Sequence, residues 1–177
     1  MTTQPLQLGS HLLIALEGES FTDPSAGTVG RESTPGAADS VWRNLGIVSE
    51  GELELAMEER EVWGPSPGRF RLHDVIENKG DLKFNATLEE VSDVITALAF
   101  GSGVVNSGQF NPLERGIALK AWTKVQIYNQ FDNSYVTADL YSRLKLSSAL
   151  NVNGLEVRPQ VEARVLYSTL NNANLAA

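Results

Sequence analysis

Between Ile117 and Leu146 the chain alternates apolar and polar residues almost without a break, and that period of two commits the segment to antiparallel sheet. Ile117, Leu119, Ala121, Val125 and Ile127 fall on one face, with Lys120, Trp122, Lys124, Gln126 and Tyr128 on the other. After a turn at Phe131-Asp132-Asn133-Ser134 the even positions Val136, Ala138, Leu140, Leu144 and Leu146 are apolar. The odd positions Tyr135, Thr137, Asp139, Tyr141, Arg143 and Lys145 are polar or amphipathic. A helix would bring together residues three and four apart, so this pattern would scatter its apolar residues around the axis. An antiparallel hairpin with one face buried keeps them on one side.

The rest of the chain supplies strands to pair with that hairpin. Leu12 to Leu16 is a short apolar run that reads as a first strand, and Asn151 to Gly154 is a turn before a last strand holding Val161, Ala163, Val165 and Tyr167. Leu53, Leu55 and Met57 alternate with Glu52, Glu54 and Glu58, the pattern of a half-buried strand. Gly64-Pro65-Ser66-Pro67-Gly68 reads as a turn. Phe70 and Leu72 alternate with Arg69, Arg71 and His73 in a following strand, and Leu82, Phe84 and Ala86 alternate with Lys83 and Asn85 in another. One helix is expected over about 88–100, capped by Thr87 with Glu90 as its reciprocal partner. Its stripe is Leu88, Val91, Val94, Ile95 and Leu98, and Gly101 ends it. The expected fold is mainly β: an antiparallel β-sandwich or open barrel with one flanking α-helix.

All 177 residues fit one domain, which at this size buries roughly 70% of its unfolded surface and folds without a metal or a crosslink. Residues 18–40, rich in Gly, Ser, Thr, Pro and Asp, and 101–116, rich in Gly, Ser and Asn, read as long flexible loops. Residues 1–11 and 168–177 read as N- and C-terminal arms. There is no Cys, so disulfides and thiolate chemistry are excluded. Nothing at the N-terminus has the form of a secretion signal, and the longest apolar run there, Leu12 to Leu16, is too short for a membrane anchor, so residence in a cytoplasm is expected. The net charge of −8 argues against a protein that grips nucleic acid, since such proteins owe their affinity to neutralised phosphates.

Catalysis needs converging groups, and the sequence has no pattern that assembles them. His11 and His73 lie far apart, and His73 and Asp74 point to opposite faces of a strand. Gly101-Ser102-Gly103 follows the expected helix instead of opening it, which is wrong for a phosphate cradle. Asn85-Ala86-Thr87 spells a glycosylation sequon but reads as a strand end and helix cap. The expectation is a protein that is not an enzyme and carries no cofactor or metal.

Three pieces carry a resemblance: Trp42-Arg43-Asn44-Leu45-Gly46, the strand-to-helix run Leu82 to Ser92, and the ending Leu98-Ala99-Phe100-Gly101. With the paired long strands after residue 116, they resemble the major tail tube proteins of long-tailed bacteriophages over roughly residues 41–167. The resemblance implies a structural subunit of the virion tail, assembled in the cytoplasm of the host bacterium. Such subunits form stacked hexameric rings, a hollow tube that conducts the genome during ejection. Its partners would be other copies of itself, a tape measure protein in the lumen, and tail tip and tail terminator proteins, with DNA only in transit. The acidity then suggests a lumen that repels phosphate, and Glu52, Glu54, Glu58, Glu59, Glu61 and Asp139 are the candidate lumen-lining residues. Two alternatives are the inner tube of another contractile injection machine and a monomeric β-sandwich binding module. The second would display aromatics such as Trp122, Tyr128, Tyr135 and Tyr141, for which packing in a core or interface is the favoured role.

Overall fold

The computed structural model describes residues 6–8, 11–22, 27–101, 105–106, 109–110, 119–129, 134–150 and 157–168. The chain opens with β1 (Leu6–Leu8) and β2 (His11–Leu16), then a short ribbon of β3 (Ser20–Phe21) and β4 (Gly27–Thr28). The two longest strands follow, β5 (Arg43–Ser66) and β6 (Arg69–Leu88), and then helix α1 (Asp93–Ala99). A second ribbon, β7 (Val105–Asn106) and β8 (Gln109–Phe110), precedes β9 (Leu119–Asn129), β10 (Ser134–Leu146) and β11 (Gln160–Val165). The fold is mainly β with one helix among the described residues, as the alternation requires. Of the expected N-terminal arm, Leu6–Leu8 and His11 are strand residues of β1 and β2; the rest of that arm, the C-terminal arm beyond Ser168, the turns at 131–133 and 151–154, and most of the 101–116 loop lie outside the described residues.

The main sheet runs β1-β9-β10-β11-β6-β5-β2, every neighbour antiparallel. It does not stay open. Leu13–Leu16 of β2 also pair with Lys124–Ala121 of β9, so β2, β5, β6, β11, β10 and β9 form a continuous ring. Of the two architectures expected, the molecule is therefore a barrel, and a closed one. Closure satisfies the backbone groups that an open sheet leaves at its two edges.

Alternation decides what the barrel holds. Leu12 and Ile14 of β2, Phe84, Ala86 and Leu88 of β6, Ala121 and Val125 of β9, Leu140 and Leu144 of β10, and Val161 and Ala163 of β11 all point inward and are buried. Val94 and Ile95 of α1 join this core, and the helix packs against β10. Thr123 and Ser142 also lie buried, and their hydroxyls satisfy each other at 2.6 Å.

A second, smaller core covers the outside of β9 and β10. Trp122 and Tyr141 point outward there, yet both are buried, beneath Phe21 and Val29 with Val41 and Trp42 packed alongside. Their rings meet at 5.7 Å in a tilted arrangement. Trp122 Nε1 donates to the Gly30 carbonyl at 2.6 Å, and Trp42 Nε1 donates to the Gly36 carbonyl at 2.9 Å. Asp39 is buried and accepts the amides of Thr22 and Val41. The described part of 18–40, expected as a flexible loop, is thus tied down by hydrogen bonds to side chains as well as by Phe21 and Val29.

The helix differs from its expected bounds. Leu88 and Thr87 belong to β6, where Leu88 pairs with Val48 and is fully buried, and its amide donates to the Pro159 carbonyl. The strand therefore runs through the position expected to cap the helix. Ser92 caps instead, its hydroxyl accepting from the Ile95 amide, and Val91 is left exposed before the first turn. Gly101, at φ 64°, ends the helix as expected.

Candidate functional site

β5 and β6 begin as two staves of the barrel and then leave it. β2 pairs with β5 only as far as Ile47, and β11 pairs with β6 only from Lys83 to Thr87. Beyond those points the two strands pair with each other alone, out to Ser66 and Arg69. The thirteen residues from Glu54 to Ser66, at about 3.3 Å each, make a two-stranded arm of roughly 40 Å.

Local sequence explains how the arm turns and bends. Pro67 and Gly68 form the connection; Pro presets the first turn position, and Gly68 takes φ 77°, which side-chain-bearing residues seldom adopt. Gly64-Pro65-Ser66, expected in the turn, is strand instead, and Pro65 pairs with Phe70. A proline is tolerated there because β5 has no neighbour on its other edge, toward which the missing N–H would point. The register shifts twice along the arm, leaving Asn78 and His73 as extra residues on β6. The His73 ring lies so close over Gly64 that a Cβ there would approach it at 2.5 Å, so a side chain at that position would displace the ring.

The register also assigns the two faces. The face that continues the barrel interior carries Leu53, Leu55 and Met57, with Leu82 opposite, near the root. It ends at the tip with Trp63, Pro65, Phe70 and Leu72. Yet Leu55 is 59% exposed, Trp63 54% and Phe70 70%. The alternation expected for this segment is present; the burial expected with it is not, because among the described residues no second layer lies over the arm. Between the two apolar patches sit Glu59, Glu61 and Glu77 on the same face, with Glu59 directly opposite Glu77. Trp63 Nε1 donates to Glu61 at 2.8 Å.

The opposite face carries most of the arm's charge, interrupted by Ala56, Val62 and Ile76. Glu52, Glu54 and Glu58 lie near the root, where Lys79 pairs with Glu58 at 3.2 Å. Arg164 of β11 hydrogen-bonds Asp81 at 2.8 Å and holds that carboxyl below the usual range. Toward the tip this face carries Arg60, Arg69 and Arg71 with Asp74. At the root, Glu50, Glu52, Asn85, Gln160 and Glu162 line a shallow cleft of about 520 Å³. Among the described residues no group of three or more His, Cys, Asp and Glu is placed to hold a metal ion.

The six candidate lumen-lining carboxylates do not form one set. Glu52, Glu54 and Glu58 share the charged face of the arm, while Glu59 and Glu61 lie on the apolar face. Asp139 is on the barrel wall, far along the chain from both, directly opposite Lys124. Lys124 is 6% exposed, its Nζ lies 2.9 Å and 3.2 Å from the two Asp139 oxygens, and the Trp42 ring sits 4.4 Å away. The nearer contact is ionic and the farther one a directed hydrogen bond. Asp139 thus compensates a buried cation. Glu77 belongs beside Glu59 and was missed in the sequence, because only the bulge at Asn78 brings it onto that face.

Of the four aromatics that a binding module would display, Trp122 and Tyr141 are buried in the second core. The side chains of Tyr128 and Tyr135 lie outside the described residues. No family model matches the chain, and no curated protein matches it.

Proposed function

We propose that the chain is a structural subunit that self-associates through its arm into stacked rings, the wall of a bacteriophage tail tube. One observation supports this most directly: an arm of roughly 40 Å whose apolar face, from Leu53 and Leu55 to Trp63 and Phe70, has no covering layer. A two-stranded ribbon is marginal by itself in water. Contiguous exposed apolar surface on a folded protein marks a contact site. The barrel behind it is closed and packed, so the arm is the part of the described molecule left unfinished. The resemblance at Trp42 to Gly46 and Leu82 to Ser92 adds the identity of the assembly, hexameric rings in a virion tail with other tail proteins as neighbours.

Negative-stain electron microscopy across a range of concentrations tests this. Hollow rings or tubes of uniform width are the expected result. Monodisperse monomers at every concentration, even when tail-tip complexes are added as seeds, would overturn it.

A further inference from the structure

We infer that the arm docks asymmetrically on a second copy of this chain, its apolar, acidic face against the basic outer half of the neighbour's arm. This rests on the self-association proposed above and names the surfaces that carry it. The apolar face holds Glu59, Glu61 and Glu77 and no Lys or Arg at any paired position from Leu53 to Pro65 or from Phe70 to Leu82. The opposite face, from Arg60 to the turn and back to Ile76, holds three arginines, Arg60, Arg69 and Arg71, against one carboxylate, Asp74. It also carries Val62 and Ile76, so apolar contact is available on both sides.

The alternatives fail on charge. A symmetric contact between two apolar faces would press Glu59, Glu61 and Glu77 against the same three carboxylates of the partner. A symmetric contact between the outer faces would set arginines against arginines. Like charges brought together across an interface are strongly unfavourable. Packing the apolar face of one arm on the outer face of the next places opposite charges together at ordinary sheet-to-sheet spacing. Glu59 directly opposite Glu77 is unfavourable within a lone arm. A neighbouring arginine would relieve it. Because the two contacting surfaces differ, each copy offers one to the next, and such contacts propagate into closed rings or open filaments.

Charge reversal tests this, with assembly followed by sedimentation velocity at low salt and the fold of each variant checked by circular dichroism. All four positions are exposed. Glu59→Lys with Glu77→Lys makes both faces basic, and Arg60→Glu with Arg71→Glu makes both acidic. Each of these variants alone is expected to associate roughly tenfold or more weakly than the unsubstituted chain. An equimolar mixture of the two is expected to recover assembly by alternating, and a chain carrying all four changes is expected to assemble by itself. If the unsubstituted chain assembles but either two-residue variant does so equally well, or the mixture shows no recovery, the docking is overturned and the assembly reading stands. If the unsubstituted chain never assembles, both fall.

Discussion

Two residues show how local chemistry is settled by what surrounds it. Thr87 and Ser92 both have the side chain of a helix cap, but only Ser92 accepts an amide at the start of α1. Ser92→Ala is expected to lower stability by about 0.5–1 kcal/mol. Thr87→Ala should not remove a cap, and urea unfolding of the pair gives the comparison. Tyr141 is the other case. Burial, then its hydrogen bond to Glu17 at 2.8 Å, push its hydroxyl up to about 12. A raised value means the fold favours the protonated phenol over the phenolate. The stabilisation is therefore complete below about pH 10, the value for an unfolded tyrosine, and is lost as pH rises toward 12. Ultraviolet titration should show one tyrosine ionising late, with the late step moving down toward pH 10 in Phe21→Ala protein, where the Glu17 hydrogen bond remains but part of the burial is gone. A late step that persists there would remove the second core as its cause.

At the scale of elements, strands were more legible in the sequence than layers. Alternation identified the β9–β10 hairpin with its faces, and the same rule separated Leu53, Leu55 and Met57 from the glutamates between them. Alternation reports which residues share a face. It carries no information on whether anything covers that face, so the arm read as a half-buried strand. Phe70–Leu72 and Leu82–Ala86 read as two strands, but cross-strand pairing with β5 carries the backbone straight through from Arg69 to Leu88. Loop composition misled for a related reason. Phe21, Val29 and Trp42 are few among many Gly and Ser, but each meets a large outward-facing ring or cation on β9 and β10. The candidate acidic set joined five glutamates of β5 to Asp139 of β10, and only the register divides the five between two faces of the arm.

At the scale of the whole molecule, the proposed self-association falls on a different part of the chain from the packed core of the barrel. Replacing residues 59–78 with a two-residue Asn-Gly turn would join Glu58 and Lys79, which already pair across the arm. The shortened chain is expected to keep its barrel, losing no more than about 1 kcal/mol because none of the excised residues is buried. It is also expected to lose assembly. Thermal unfolding and sedimentation of the same preparation check the two halves of this expectation. A truncated chain that does not fold would show that the arm supports the barrel as well.

The closure of the barrel also sets a timetable for synthesis. The arm is joined by two residues at Pro67 and Gly68, so its strands can zip together on the microsecond scale once both have left the ribosome. The barrel shuts only when Leu13–Leu16 meet Ala121–Lys124, more than thirty residues beyond the end of β6 at Leu88, and β11, ending at Val165, comes later still. At bacterial elongation rates of about 5–20 residues per second, that interval lasts on the order of ten seconds. Throughout it, every nascent chain carries its arm, the surface we propose to be adhesive, on an unfinished body, and several such chains share one polysome. On that proposal, expression yield is expected to rise with slower initiation, which spaces the ribosomes on the messenger, and not with a more stable barrel.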